Sequence, residues 1–159
     1  MPQKIPPGRE HVIPNLIVKG VAEAIRFYEK AFGAEEVMRM PGPGGKGIMH
    51  LEFKIGASLF FMADEAATMS CRSPVSLEGT PVSMYLYVEN VDNVFNQAVA
   101  AGAKAVMPPM DLFWGDRFCK VTDPFGHEWS FATHLEDVSM ADMSRRIQEF
   151  FKNWKQPQQ

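Results

Sequence analysis

The chain has 159 residues, 46% hydrophobic and 22% charged, a composition that supports one compact domain with a real core and excludes disorder. A formal net charge of −3 excludes the basic surface that captures nucleic acid or anionic membrane, which leaves a small molecule as the expected partner. No apolar run approaches the roughly 18 residues of a membrane span, and "MPQKIPPGRE" is polar and proline-rich where a secretory leader would be apolar, so the expected location is the cytoplasm.

In chain order, the first predicted element is a strand in "IPNLIV", followed by a helix in which Ala24, Ile25, Tyr28 and Phe32 recur at helical spacing. Gly33 ends it as a C-terminal cap, where a left-handed backbone costs least. The strands "EEVMRM", "GIMHLEFKIG" and "ASLFFMAD" follow, with a Gly/Pro loop over 41–47. After a polar stretch, 65–80, the order repeats: strand "VSMYLYV", a helix carrying Val91, Val94, Phe95, Ala98 and Ala101, the cap Gly102, then "KAVMPPM", "DRFCKVTD" and "HEWSFATH". Last, Ser139 and Asp142 form an N-cap box ahead of an apolar stripe of Met140, Met143, Ile147, Phe150 or Phe151, and Trp154.

The repetition is in sequence as well as pattern. "FGAEEVM" aligns with "AGAKAVM" at an offset of 69, "NLIVKGV" with "YLYVENV" at 70, and "IGASLFF" with "FGHEWSF" at 70, which puts Gly56 on Gly126. The predicted fold class is α+β: two tandem βαβββ modules forming a curled, cup-shaped mixed sheet, plus a C-terminal helix. Module one covers 12–64, a linker 65–80, module two 81–137 and the helix 138–155, all in a single domain. Cys71 and Cys119 are far apart and lack a CxxC partner, so neither a disulfide framework nor a thiolate zinc site is expected.

Alternation assigns each strand residue to the helix-packed face or the other one. Leu16, Val18, Met49, Leu51, Phe53, Ile55, Val82, Met84, Leu86 and Val88 read as the helix-packed rows. Asn15, His50, Glu52, Lys54, Ser83, Tyr85 and Tyr87 take the other face, and in the last strands Ser58, Phe60, Met62, Glu128, Ser130 and Ala132 do so by the same count. If the two sheets curl toward each other, that second face becomes a cup for a ligand. The expected ligand-binding residues are Asn15, His50, Glu52, Phe60, Ser83, Tyr85, Tyr87, Lys120 and Ser130, with Phe113 and Trp114 on a preceding loop. His50 and Lys120, 70 apart, read as repeat mates facing across the cup. His50 and Glu52 are the candidates for acid–base chemistry. Neighbours on a strand face opposite ways, so His127 and Glu128 cannot chelate one ion. His127 reads as an anchor for the "DPFG" turn, and Arg117 as a structural arginine paired with Asp116 or Asp123.

The stretches "IPNLIVKGVAEAIRFYEKAFGAEEV", "MYLYVENVDNVFNQAVAAGAK" and "FWGDRFCKVTDPFGHEWSFATHLED" resemble the vicinal-oxygen-chelate superfamily of glyoxalases, bleomycin-resistance proteins and extradiol dioxygenases. "AIRFYEKAFGA" with "WGDR" and "DPFGHEW" looks most similar to its PhnB-like branch. The resemblance implies a metal held by one position on the first and one on the last strand of each module; here these align with Ile13, Phe60, Ser83 and Ser130. None offers an imidazole or carboxylate, so no metal and no other cofactor is expected. The expected function is metal-independent binding of a small aromatic or planar ligand by a cytoplasmic homodimer. The alternative is a lyase, isomerase or dioxygenase of the same superfamily with a non-standard metal site.

Overall fold

The computed structural model describes residues 3–153 and contains both modules in the predicted order. In module one, β1 (Asn15–Val18), α1 (Val21–Phe32), β2 (Glu35–Pro41), β3 (Ile48–Ile55) and β4 (Ser58–Asp64) give a sheet of order β1-β4-β3-β2. In module two, β5 (Ser83–Tyr87), α3 (Val91–Ala101), β6 (Lys104–Asp111), β7 (Asp116–Thr122) and β8 (Glu128–His134) repeat it as β5-β8-β7-β6. The first strand of each module runs parallel to the last, which the crossover helix requires, and the other pairs are antiparallel. Between the modules lies a short helix, α2 (Pro74–Leu77), and α4 (Met140–Asn153) follows β8. Trp154 and the expected end of that helix at 155 lie outside the described residues.

Local chemistry explains the element ends. Gly33 and Gly102 close α1 and α3 in left-handed conformations and return their N–H groups to the last helical carbonyls. α1 has no capping side chain of its own. Asp64, at the end of β4, accepts hydrogen bonds from the Gly20 and Val21 N–H groups and from Ile48 N–H, tying the start of α1 to β3 and β4.

The two sheets do not curl into one cup. They stay open, and their helix-side faces meet in a single aromatic core. Phe60 of β4 packs against Trp129 of β8, and Tyr28 and Phe32 of α1 reach Trp129, with Phe32 also touching Phe131. α1 and α3 pack on each other within it. Both modules therefore bury the same side of their sheets in common. The opposite faces turn away from that core rather than toward one another.

The parity of one strand, β4, and of two single residues, Met49 and Val82, differs from the expectation. Phe60 and Met62 are buried in the core, and Leu59, Phe61 and Ala63 take the open face. The cause is hairpin length: two residues separate Ile55 from Ser58, whereas three, Pro124 to Gly126, separate Asp123 from His127. Aligning Gly56 with Gly126 slips β4 by one residue, and a one-residue slip inverts a strand's faces. Met49 is 48% exposed, because Met40 pairs with His50 and Pro41 with Ile48, which leaves Met49 as the unpaired extra residue of a bulge in β3 and turns Ile48 inward instead. Val82 is exposed because it precedes β5.

The remaining parity is testable through one pair of variants. Trp129 is fully buried and Tyr85 46% exposed. Trp129→Ala should cost about 3–5 kcal/mol in urea denaturation, and Tyr85→Ala less than about 1 kcal/mol. Equal costs would contradict the assignment of faces.

Candidate functional site

On the module-one face, Asn15 lies beside Phe61 in the parallel pair, and Glu52 lies beside Phe61 in the antiparallel one. Glu52 is only 4% exposed, and its carboxylate is bonded by two side chains, Arg9 and His50. Arg9 donates to its Oε2 at 2.7 Å and His50 Nε2 to its Oε1 at 3.2 Å. The Arg9 hydrogen bond is the main cause of a pKa below the usual carboxylate range, acting against burial and aided by His50. Arg9 also stacks over Phe61, its guanidinium carbon 5.3 Å from the ring centroid, and the His50 ring meets Phe61 edge-on at 4.8 Å. With Nε2–H donated to Glu52, Nδ1 of His50 is left as an acceptor.

The module-two face is built from Ser83, Tyr85, Tyr87, Phe118, Lys120, Glu128 and Ser130, in register across β5, β8 and β7. Tyr85 packs against Tyr87 and Phe118 at 5.5 and 5.8 Å. Lys120 and Glu128 form an ion pair at 2.5 Å, and the Ser83 and Ser130 hydroxyls are 3.1 Å apart. Behind the aromatics lies Asp116, 2% exposed. It accepts from Tyr87 Oη at 2.8 Å, Trp114 Nε1 at 3.0 Å and His134 Nδ1 at 2.8 Å. Burial works to raise the Asp116 pKa, and the three donors outweigh it and hold it below the ordinary value. Burial, with Tyr87 and Asp116 adding to it, pushes the Tyr85 phenol well up, so it stays a neutral hydroxyl.

Phe113 and Trp114 occupy the turn between β6 and β7, stacked edge-on at 4.9 Å, and Phe150 of α4 packs on Phe113 at 5.4 Å. Gly115 in that turn has φ +97°, and a Cβ there would collide with the Glu136 carbonyl oxygen, so the chain leaving β8 lies directly on the turn. Its carbonyl accepts from Leu135 and Glu136 N–H.

The predicted site residues thus divide between two faces. Asn15, His50 and Glu52 lie on one; Ser83, Tyr85, Tyr87, Lys120 and Ser130 on the other, with Phe113 and Trp114 at its rim. Phe60 belongs to neither, and Phe61 takes its place. His50 and Lys120 are not structural mates, since Lys120 aligns with Ser130 across the ladder as Glu52 aligns with Phe61. Arg117 pairs with Asp92, through two hydrogen bonds, and with Asp111, not with Asp116 or Asp123. His127 is buried and donates Nε2–H to the Ile17 carbonyl at 3.0 Å, which makes it a structural histidine. Arg9, Phe61, Asp116 and Phe118 were missed. For Arg9 there was no signal, since nothing local shows that a proline-rich lead segment folds onto a strand face.

Ile13 and Ser83 line one cleft of about 640 Å³ where the β3–β4 turn approaches β5. The four positions aligned with a family metal site are, in the observed register, Ile13, Phe61, Ser83 and Ser130. Their only donors are two hydroxyls already bonded to each other, and among the described residues no group of three or more His, Cys, Asp or Glu side chains could hold a metal ion. A divalent cation does not fit this set.

The sequence model of the "Glyoxalase/Bleomycin resistance protein/Dioxygenase superfamily" matches residues 9–131. An uncharacterized protein of Mycobacterium tuberculosis, Rv0887c, is 41% identical over 133 residues, covering 82% of this chain and 78% of its own length. The crystal structure of TioX from Micromonospora sp. ML1 superposes with a TM-score of 0.62 at 29% identity, over 79% of this chain and 99% of that one. The X-ray structure of the At5g48480 product of Arabidopsis thaliana gives 0.60 at 28% identity, over 77% and 97%.

His134 supplies a pH test. It donates Nδ1–H to Asp116 and Nε2–H to Asp137 at 3.2 Å, which requires the imidazolium. Those two carboxylates raise its pKa above the ordinary 6.5. The clamp's contribution is complete below the unfolded value and is lost as pH rises through the folded one. His134→Gln should therefore destabilise the protein more near about pH 6 than near about pH 9 in urea melts. The same loss at both would exclude the imidazolium clamp.

Proposed function

The chain belongs to the glyoxalase/bleomycin resistance protein/dioxygenase superfamily, and from that premise we propose that it binds a small aromatic or planar molecule without a metal. The observation that carries this reading is the pair of amphipathic faces that the shared core turns outward. Each is half of an enclosure: aromatic rings for stacking, and fixed hydroxyl, imidazole and amide groups for orientation. One chain cannot close the two over a ligand. A second copy can, its module-two face set against the module-one face of the first. We accordingly propose a homodimer with the ligand held between chains, in the PhnB-like branch of the family. Two free thiols, Cys71 and Cys119, favour the reducing cytoplasm as its location.

Metal independence is supported by the donor set, since the hydroxyl pair Ser83/Ser130 can hydrogen-bond a ligand oxygen but cannot replace imidazole and carboxylate ligands. A second reading rests on the Arg9–Glu52–His50 arrangement. If the protein is a lyase or isomerase, His50 Nδ1 is the base that takes a proton from the substrate, with Glu52 fixing its tautomer and Arg9 keeping Glu52 ionised.

Light scattering at micromolar concentration should give twice the mass of one chain. A monomer would overturn the shared enclosure. In a thermal-shift screen of planar aromatic compounds against the purified protein, hits should appear without added metal, and elemental analysis should find no stoichiometric Zn, Ni, Fe or Mn. For such a hit, Tyr85→Ala should weaken binding by about 1–3 kcal/mol. Unchanged affinity would remove the module-two face from the site.

A further inference from the structure

We infer that the ligand of these faces is uncharged: a planar, largely apolar body that carries neutral hydrogen-bonding groups. This rests on the reading that the faces bind a planar molecule, and it comes from the accounts of charge on both.

On the module-one face, Glu52 is matched by Arg9 and bonded by His50. On the module-two face, Lys120 is matched by Glu128, and the buried Asp116 is saturated by Tyr87, Trp114 and His134. Lys54 stands at the turn end of β3, opposite Glu35 in the next strand. Every ion toward the middle of either face thus already has its counterion within the same chain. A charged ligand entering there would shed its water and find no free opposite charge. To gain one it must break a pair and leave the displaced partner buried, as Glu52 is.

An uncharged ligand meets no such penalty. It finds ring surfaces at Phe61, Tyr85 and Phe118, and hydrogen-bonding capacity at the Ser83/Ser130 hydroxyls, the Asn15 amide and His50 Nδ1. The ion pairs then act as fixed dipoles that hold side chains in place rather than as hooks for charge.

The test uses three probes of one shape: 2-naphthamide, 2-naphthoate and 2-naphthylmethylammonium, titrated calorimetrically into the intact protein at about pH 8, above the range of an unperturbed imidazole. The amide should bind at least about tenfold tighter than either ion. Removing one carboxylate should then create a taste for anions. In Glu52→Gln, which frees Arg9, and in the more exposed Glu128→Gln, which frees Lys120, naphthoate affinity should gain about tenfold relative to naphthamide. The second variant keeps the test decisive if the first fails to fold. An ionic probe that matches or beats the amide in the wild type overturns the inference and leaves the planar-ligand reading standing. Naphthoate affinity unmoved in the folded variants also overturns it. If none of the three binds at millimolar concentration, the inference and the reading fall together.

Discussion

One buried carboxylate holds the two modules in their relation. Asp123, in the β7–β8 turn, accepts from Tyr28 Oη at 2.7 Å and Trp129 Nε1 at 2.9 Å through Oδ2, and from the Phe125 and His127 N–H groups through Oδ1. Four donors around a carboxylate with almost no water contact compensate for its burial, and losing one exposes the rest to an unfavourable charge. The Tyr28 bond is the one that spans modules. Burial first, and then Asp123, lift the Tyr28 phenol well above its ordinary pKa, which keeps it a donor at neutral pH. Because Tyr28 belongs to α1 and Asp123 to module two, the helix sides of both sheets must share one interior. The outward orientation of the two open faces follows from that.

The same device recurs at smaller scale. Asp64 gathers two N–H groups at the start of α1 and one at the start of β3, Glu65 accepts from Ser73 and Ser76 and is drawn down to a pKa of about 2, Glu52 takes two partners, and Asp116 three. Each acts as a many-armed acceptor that orders loops and side chains before any ligand arrives. Binding to such faces needs little further ordering of protein groups, and ordering is a main cost of association. The open faces are therefore rigid in their polar parts and smooth in their aromatic parts.

Much of the fold was legible in the sequence because it rests on periodicity. Strand alternation in "VSMYLYV" and "GIMHLEFKI", helical spacing around Tyr28, and the glycine caps at 33 and 102 are local signals, and each marks an element that is present. The face of β4 was not legible. Its two phenylalanines, Phe60 and Phe61, are equally apolar, so parity there hung on one loop length that the glycines at 56 and 126 disguised. The site was legible where a strand carried alternating polar residues, as with His50 and Glu52 or Tyr85 and Tyr87. It was hidden where the partner came from elsewhere in the chain: Arg9 reaching Glu52 across 43 positions, or Asp116 collecting donors from β5, β8 and its own turn. The direction in which the faces point depends on Tyr28 meeting Asp123, 95 positions away, and no local pattern encodes that.

The crossing at Gly115 bears on how the molecule can be handled. The backbone at Glu136 lies against the aromatic turn, and beyond it Arg146 of α4 grips Glu136 with two hydrogen bonds. A tether, tag or fusion attached after α4 would pull first on the Phe113–Trp114 turn, at the rim of one face. Attachment ahead of Arg9 would load the other face through Glu52. Anchoring the protein through either segment therefore loads one of the open faces, at the Phe113–Trp114 rim or at Glu52.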